Sequence, residues 1–204
     1  MKLLMQLVSA VFHPLLLSTH MMVVLYFTAP EIIGSIGVEY IPNLILAIFL
    51  STAVIPAMSI GFMKVSSRIS NYEMTQREER MWPFLLITIF YAATTYFMIS
   101  QFRVGDVFAL MMITVSILIF ALLLITLRFK ISIHAAASWG GAGIISFLFV
   151  QNEAPLFVPL MITFLAAGAV GTSRLYLGYH TPKEIWTGSL FGFGFCFLVL
   201  NLFG

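Results

Sequence analysis

Charged residues are scarce in this chain of 204 residues. Asp, Glu, Lys and Arg together make up 9% of it, whereas apolar residues make up 61%. A soluble globular domain carries about a quarter of charged residues, so this composition excludes a soluble domain. The net charge of +2 comes with no basic tail, and we therefore expect no nucleic-acid partner.

Cysteine is almost absent as well. The single Cys196 excludes an intrachain disulfide, and its place in an apolar run is typical of a small buried residue. No linker, internal repeat or low-complexity stretch divides the chain. We therefore predict one integral-membrane domain over residues 1–204, with the lipid bilayer as its partner. The composition indicates no particular oligomeric state.

Long apolar runs fill most of the chain. They are continuous rather than alternating, which predicts helices instead of strands. About 20 apolar residues in a helix cross the hydrocarbon core of a bilayer. We therefore predict an all-α, polytopic transmembrane helical bundle of six to seven spans. Our count is seven, at about 3–28, 42–63, 82–100, 107–127, 134–151, 155–172 and 185–203. The fifth and sixth are short, which predicts helix ends recessed toward a site.

The basic residues indicate an orientation. With seven spans, the N-terminus and the stretches 64–81, 128–134 and 173–184 share one side of the membrane, and this side holds every basic residue except Arg103. Positive residues favour the cytoplasmic side, and Trp82, Trp139 and Trp186 lie where an interfacial aromatic belt would place them. We therefore expect a protein of the bacterial inner membrane with these loops facing the cytoplasm. The basic residues on that side are Lys2, Lys64, Arg68, Arg77, Arg80, Arg128, Lys130, Arg174 and Lys183.

Two polar islands lie on this predicted side. One runs over residues 173–184 and reads Ser-Arg, five residues, His180, three residues, Glu184. The other is Lys130-Ile-Ser132-Ile-His134. Charged groups in a membrane protein are costly unless they are paired or functional. Span parity alone therefore predicts that the two islands lie on the same side of the membrane, and a shared functional site requires that they face each other there.

These residue types suit phosphoryl chemistry without a metal. A histidine such as His180 attacks phosphorus if a carboxylate, here Glu184, orients its ring and stabilises the positive charge. A second histidine, His134, protonates the leaving oxygen and then activates water. Arg174 and Lys130 would hold the phosphate oxygens, Arg bidentately and Lys as a point charge. Ser132 is a further candidate to bind the phosphate.

Each of these residues also has a purely structural interpretation. Thr181, Pro182 and Glu184 have the form of a capping box that starts the last helix. Arg174 and Lys183 could be anchors that reach the lipid headgroups. His134 could be a hydrogen-bonded histidine at a helix end. Ser132 could be the N-cap of the fifth span.

The first span carries a histidine pair, His13 and His20, seven residues apart and so on one helix face. We interpret them as packing or water-lined polar contacts. Ligation of a metal or haem is the alternative, although one helix is poorly placed to supply both axial ligands. Pro14 is expected to kink the helix or to start it. We also expect small residues to let the fifth and sixth helices approach closely: Gly140, Gly141, Gly143, Gly168 and Gly171.

The C-terminal island resembles a motif of the type 2 phosphatidic acid phosphatases, helical enzymes that act through a phosphohistidine. Their third motif, Ser-Arg-x5-His-x3-Asp, is matched by Ser173, Arg174 and His180, with Glu184 in place of Asp. Their second motif, Pro-Ser-Gly-His, is matched by Ser132 and His134, while Ile131 and Ile133 replace Pro and Gly. The resemblance covers residues 128–203, the phosphatase-like core.

The first motif of that family, Lys-x6-Arg-Pro, is missing. The nearest stretch offers Arg77, Arg80 and Pro83 at other offsets, and Lys130 is a further candidate for the missing charge. The resemblance implies that His180 is the nucleophile, His134 the acid/base and Glu184 the orienting carboxylate. It implies phosphate binding by Arg174 and Ser132, with Ser173 of the same motif. To these phosphate-binding candidates we add Lys130, Arg77 and Arg80.

Our leading hypothesis is a metal-independent membrane phosphatase without a cofactor. It would hydrolyse a lipid phosphomonoester or pyrophosphate, such as a phosphatidic acid-like or isoprenoid phosphate, through a phosphohistidine intermediate. The alternative is a relative that binds or transports a lipid phosphate without hydrolysing it. A histidine-ligated haem or quinone protein is a third hypothesis.

Overall fold

The structure is a computed structural model that describes residues 1–72, 74, 78–102, 104–151 and 156–204. In these ranges the chain forms α-helices joined by short turns. The helices are α1 (Lys2–Val11), α2 (Leu17–Thr28), α3 (Ile41–Phe49), α4 (Ile55–Val65), α5 (Met81–Phe102), α6 (Asp106–Thr126), α7 (Ile133–Val150), α8 (Phe157–Tyr176) and α9 (Pro182–Phe203). Short 3-10 turns lie at Pro14–Leu16, Pro30–Ile33, Val38–Tyr40 and Glu78–Arg80, and a π-helical turn at Leu50–Val54 joins α3 to α4.

The predicted all-α membrane fold is confirmed. Among the described residues, seven helical stretches are long and apolar enough to cross a bilayer. Five are single helices, α5 to α9. The first two are composite: Lys2–Thr28 contains α1 and α2, and Val38–Val65 contains α3, the π-helical turn and α4. The described part of the chain has no strand, only an isolated bridge between Gly34 and Val104. The chain is an α-helical integral membrane protein.

The first span is broken at Pro14. α1 ends at Val11, and His13 has extended backbone angles (φ −66°, ψ 141°) before the 3-10 turn that Pro14 begins. Proline has no N–H and cannot continue a helix from the preceding turn. The hydroxyl of Tyr91, on α5, donates to the carbonyl oxygen of Leu15 at 3.2 Å. The break therefore gains a polar partner inside the bundle, and Pro14 starts a new helical segment, one of the two outcomes expected.

Helix α7 packs closely against α9, which corrects one expectation. Gly143 lies against α9, where an added Cβ would stand 2.6 Å from the carbonyl oxygen of Phe193. A Cβ on Gly192 would collide with the carbonyl oxygen of Ala136. A Cβ on Gly168, in contrast, would meet no atom within 4 Å. Gly140 and Gly143 therefore bring the fifth span against the seventh, and the prediction that the glycines serve the contact between the fifth and sixth was wrong.

The sixth span is longer than predicted. α8 runs to Tyr176 and so includes Ser173 and Arg174 in its last turn. The predicted end at residue 172 was wrong because a serine and an arginine were taken as the start of a loop. Arg174 is thus held by a helix rather than by a flexible connection.

Candidate functional site

The C-terminal island is a tight link between two helices. Gly178 has a positive φ of 70°, its N–H donates to the carbonyl oxygen of Leu175, and the N–H of Tyr179 donates to that of Arg174. This is the hydrogen-bond pattern of a Schellman motif, which commonly ends a helix at a glycine. The guanidinium of Arg174 lies over the Tyr179 ring at 4.5 Å. The end of α8 therefore directs the chain straight into His180.

A capping box then starts α9 one residue after His180. The Glu184 N–H donates to the Thr181 hydroxyl at 3.4 Å, and the Thr181 N–H donates to Oε2 of Glu184 at 3.1 Å. The same Oε2 lies 2.9 Å from Nδ1 of His180. The two interpretations of Glu184 therefore hold together: its carboxylate caps the helix and contacts the histidine.

This pairing sets the protonation of the His180 ring. A carboxylate only accepts hydrogen bonds, so Nδ1 carries a proton and the neutral ring has its lone pair on Nε2. The pKa of His180 is lowered from 6.5 to about 4, first because burial penalises the charged ring and also through the positive charge of Arg174. The hydrogen bond to Glu184 opposes this and raises the pKa. At neutral pH the ring is uncharged and nucleophilic at Nε2.

The two predicted islands are in contact. The Ser132 N–H donates to the carbonyl oxygen of Glu184 at 3.2 Å, and Nζ of Lys183 lies 5.9 Å from the centre of the Phe129 ring. His134 lies in the first turn of α7, directly after this junction. The two islands, which span parity predicts on one side of the membrane, therefore also face each other in the fold.

A cavity of about 290 Å³ lies beside this junction. Most of its wall is apolar and comes from the 3-10 turn after Pro14 and from α2, α4, α5, α6 and α7. Basic side chains from five separate parts of the chain line it together: His13, Arg80, His134, Arg174 and His180. The cavity therefore combines a cluster of basic groups with an extended apolar surface.

The two arginines of the cavity are both deeply buried. Arg174 is 3% exposed and Arg80 is 4% exposed. Nη1 of Arg174 donates to the hydroxyl of Ser9, on α1, at 2.9 Å, and Nε of Arg80 donates to the carbonyl oxygen of Met74 at 2.8 Å. Buried guanidinium groups are costly unless partners or a ligand offset their desolvation. Their position beside His180 favours a site for an anion over headgroup anchoring.

His13 also belongs to this site, although the sequence did not place it there. Its ring stands edge-on to the ring of His134, with 4.9 Å between centres and 87° between planes. Its Nδ1 accepts a hydrogen bond from the Leu15 N–H at 3.3 Å. His13 also borders a second cavity of about 210 Å³, which His20 lines with Ser138 and Thr163, whereas His20 does not line the first cavity. The signal in the sequence was the proline after His13, which predicts a break rather than a continuous helix.

Several predicted site residues do not line the cavity. The Ser132 hydroxyl caps α7 by accepting from the Ala135 N–H at 3.3 Å, and the Ser173 hydroxyl donates to the Val170 carbonyl oxygen of its own helix at 2.9 Å. Both serines are fully buried. Lys130 is half-buried at the other island, outside the cavity wall. Arg77 lies outside the described residues.

The donor set is that of an anion site rather than a typical metal centre. Over the described ranges, no group of three or more His, Cys, Asp or Glu side chains is placed to hold a metal ion. The arrangement offers a neutral imidazole backed by a carboxylate, a second imidazole nearby and two arginines. These groups can bind a phosphate and can attack it at phosphorus.

Fold and site together define a class: a seven-span helical membrane protein with an internal, histidine- and arginine-lined cavity. No family model, curated protein or solved structure matches the chain. The relationship suggested by the Ser-Arg-x5-His-x3-Glu spacing therefore depends on the residues themselves and on their geometry.

Proposed function

We propose that the chain is a divergent member of the type 2 phosphatidic acid phosphatase superfamily. It hydrolyses a lipid phosphomonoester or pyrophosphate through a phosphohistidine. The observation that carries this proposal is the pair His180 and Glu184, at 2.9 Å, beside the buried guanidinium of Arg174. A neutral, oriented imidazole next to a phosphate-binding arginine is what phosphoryl transfer to nitrogen requires.

The reaction proceeds in two displacements. Nε2 of His180 attacks phosphorus, the N–P bond forms, and the bond to the leaving oxygen breaks as His134 supplies a proton. Glu184 stabilises the positive charge on the phosphorylated ring. Water then attacks phosphorus, His134 accepts its proton, and the N–P bond breaks to release inorganic phosphate. Arg174 and Arg80 bind the phosphate oxygens throughout.

The apolar wall of the cavity supports a lipid as substrate. Leu118 of α6, Ile87 of α5 and Ile60 of α4 lie in the same cavity as the basic groups. A phosphatidic acid-like lipid and an isoprenoid phosphate both join a charged head to a hydrocarbon chain, so both classes suit this lining. A soluble sugar phosphate has no hydrocarbon chain to pack against the apolar wall of the cavity.

The excess of basic residues on the side of the site supports a cytoplasmic orientation in the bacterial inner membrane. The headgroup would then enter from the cytoplasmic leaflet. Modification of single cysteines by a membrane-impermeant thiol reagent tests this orientation. A cysteine placed at Tyr72 in a Cys196→Ala background is expected to react only after cells are opened, and reaction in intact cells would contradict the orientation.

A second candidate is a protein that binds or transports a lipid phosphate without hydrolysing it. Ser132 favours it, because this hydroxyl caps α7 instead of facing the cavity, and the first family motif is missing. Such a protein would retain the anion site of Arg80 and Arg174 without turnover.

Phosphate release by the purified protein in detergent distinguishes the two candidates. The substrates would be phosphatidic acid, phosphatidylglycerol phosphate, and prenyl mono- and diphosphates. We expect release that His180→Ala and His134→Ala abolish, that His20→Ala leaves intact, and that a chelator does not affect. Release that His180→Ala leaves unchanged would refute the phosphohistidine. A folded wild type that releases nothing from any lipid would favour the binding protein.

A further inference from the structure

We propose that His13 is a phosphate-binding residue, which donates a hydrogen bond from Nε2 to the bound headgroup. This inference rests on the proposed function, because it concerns a ligand of the same cavity. It assigns to the first span the hydrogen-bond donor that the absent Lys-x6-Arg-Pro motif would have supplied. The substrate class that follows is a headgroup with at least two negative charges, a phosphomonoester dianion or a diphosphate.

The break in the first span brings His13 to the site. In a continuous helix its N–H and carbonyl would be used within the helix, and its side chain would stay on the same face as His20. Here His13 has extended backbone angles at the cap position, and its half-buried ring lines the cavity that also contains Arg174 and His180. His13 also borders the second cavity, whereas His20, seven residues away, lines that cavity and not the one with Arg174 and His180.

The hydrogen bond to Leu15 sets the tautomer of His13. Nδ1 accepts from the Leu15 N–H at 3.3 Å, so this nitrogen carries no proton. The neutral ring must then carry its proton on Nε2, which makes Nε2 a donor. Nε2 lies across the ring from the bonded Nδ1 and so points away from the backbone that Nδ1 contacts. The His13 ring, which lines the cavity, therefore has its N–H donor at Nε2.

The contact with His134 places the His13 ring beside the proposed acid/base. The two rings meet edge to face, with centres 4.9 Å apart, and His134 is the residue that would protonate the leaving oxygen. A group bound between His134 and His180 would be within reach of His13 as well. Because imidazole N–H groups hydrogen bond strongly to charged oxygen, a phosphate is the ligand that uses all three rings.

Two variants separate phosphate binding from a merely structural role. In His13→Asn the amide oxygen can replace Nδ1 and keep the cap, since Asn is among the best N-cap residues, but the donor at Nε2 is lost. In His13→Gln the longer side chain can return an N–H to the position of Nε2, but the cap is weakened. His20→Asn is the matched control, because it removes an imidazole from the same span that does not line this cavity.

The probe is orthovanadate, a phosphate analogue, with binding measured as the vanadate-induced rise in melting temperature of the full chain in detergent. Loss of one hydrogen bond to a charged group predicts about a tenfold or greater weakening in His13→Asn. We expect His13→Gln to retain more affinity than His13→Asn, and His20→Asn to bind as wild type. Where lipid turnover is measurable, the loss should appear in KM as well as in kcat.

The opposite order of vanadate affinities in the two His13 variants would overturn the proposal. If His13→Asn binds vanadate as wild type while His13→Gln is weakened, His13 serves only as a helix cap. Equal binding by both variants and the wild type would also refute it. The ring ¹⁵N signals of wild-type protein provide a check independent of variants, since vanadate must perturb Nε2 of His13. A wild type that binds vanadate through His13 but releases no phosphate would refute the proposed hydrolysis and leave this inference standing.

Discussion

Replacing Glu184 with glutamine removes one negative charge and almost nothing else. The amide oxygen of Gln has two lone pairs, so it can accept from both groups that now donate to Oε2, the Thr181 N–H at 3.1 Å and Nδ1–H of His180 at 2.9 Å. Gln is also tolerated at this position of a capping box. Glu184→Gln therefore isolates the electrostatic contribution of the carboxylate from its contribution to helix α9.

The size of the effect follows from the kind of hydrogen bond that is lost. A hydrogen bond to a charged group contributes about 1.5–3 kcal/mol and a neutral one about 1 kcal/mol. The difference of about 0.5–2 kcal/mol corresponds to roughly a 2- to 30-fold lower kcat, at 1.36 kcal/mol per factor of ten. A much larger loss of about 10⁴ occurs when an amide imposes the wrong histidine tautomer. Here the Thr181 N–H holds the oxygen toward His180 and opposes that flip.

The assay is phosphate release in detergent, with melting temperature measured alongside. Thr181→Ala is the control: it removes the hydroxyl of the capping box, so it should lower the melting temperature while the carboxylate keeps kcat within about twofold, since loss of a cap costs about 1 kcal/mol. Unchanged kcat in Glu184→Gln would refute an electrostatic role for the carboxylate. A loss beyond about a thousandfold would refute the reasoning on the tautomer.

Three further predictions concern the same region. With a pKa of about 4, roughly nine in ten His180 rings are neutral at pH 5, whereas only about 3% of ordinary histidine rings are. Ring ¹⁵N chemical shifts should therefore show protonation of His180 only as the pH falls toward 4. Arg174→Gln should raise the pKa of His180, because it removes a nearby positive charge. Ser173→Ala should leave vanadate affinity and kcat within about twofold, because its hydroxyl bonds to its own helix; a tenfold loss would show that the serine contacts phosphate. Gly192→Ala should cost about 1–3 kcal/mol of unfolding free energy by overpacking, whereas Gly194→Ala, which has open space around it, should be neutral or stabilising in a thermal unfolding assay.

The membrane fold was predictable because the signal is simple. Each of the seven spans is a continuous apolar run, and hydrogen bonding within the backbone requires such runs to be helical in lipid. Helix ends were less predictable. The end of α8 at Tyr176 was missed because polar residues at a helix end and polar residues in a loop look alike in sequence.

The link between α8 and α9 was predictable in part. The Thr-Pro-Lys-Glu start of α9 forms the capping box that its sequence indicated. Gly178 ends α8 with a positive φ. Glycine permits this conformation, but a glycine in the sequence does not by itself predict it. The spacing of Arg174, His180 and Glu184 thus results from one helix stop followed at once by one helix start.

The remaining site residues depended on packing that no local pattern reports. His13 is about 120 residues from His134 in sequence, and only the packing of the first span against α7 brings the rings together. Ser132 illustrates the reverse case. Its match to a motif serine was correct in spacing, yet its hydroxyl is used by the N-terminus of α7, the alternative that helix capping had offered.

The break at Pro14 also separates the first span into two parts, each with its own contact to the site. In an unbroken helix, one inserted residue turns everything on one side of it by about 100° relative to the other. Here α1 carries Ser9 to Arg174, while His13 takes its position from the turn that Pro14 begins. An insertion within the first turn of α1 lies before both Ser9 and His13, so it would leave both contacts in register. The amino-terminal end of the chain can thus change length, or receive a tag, without altering the cavity.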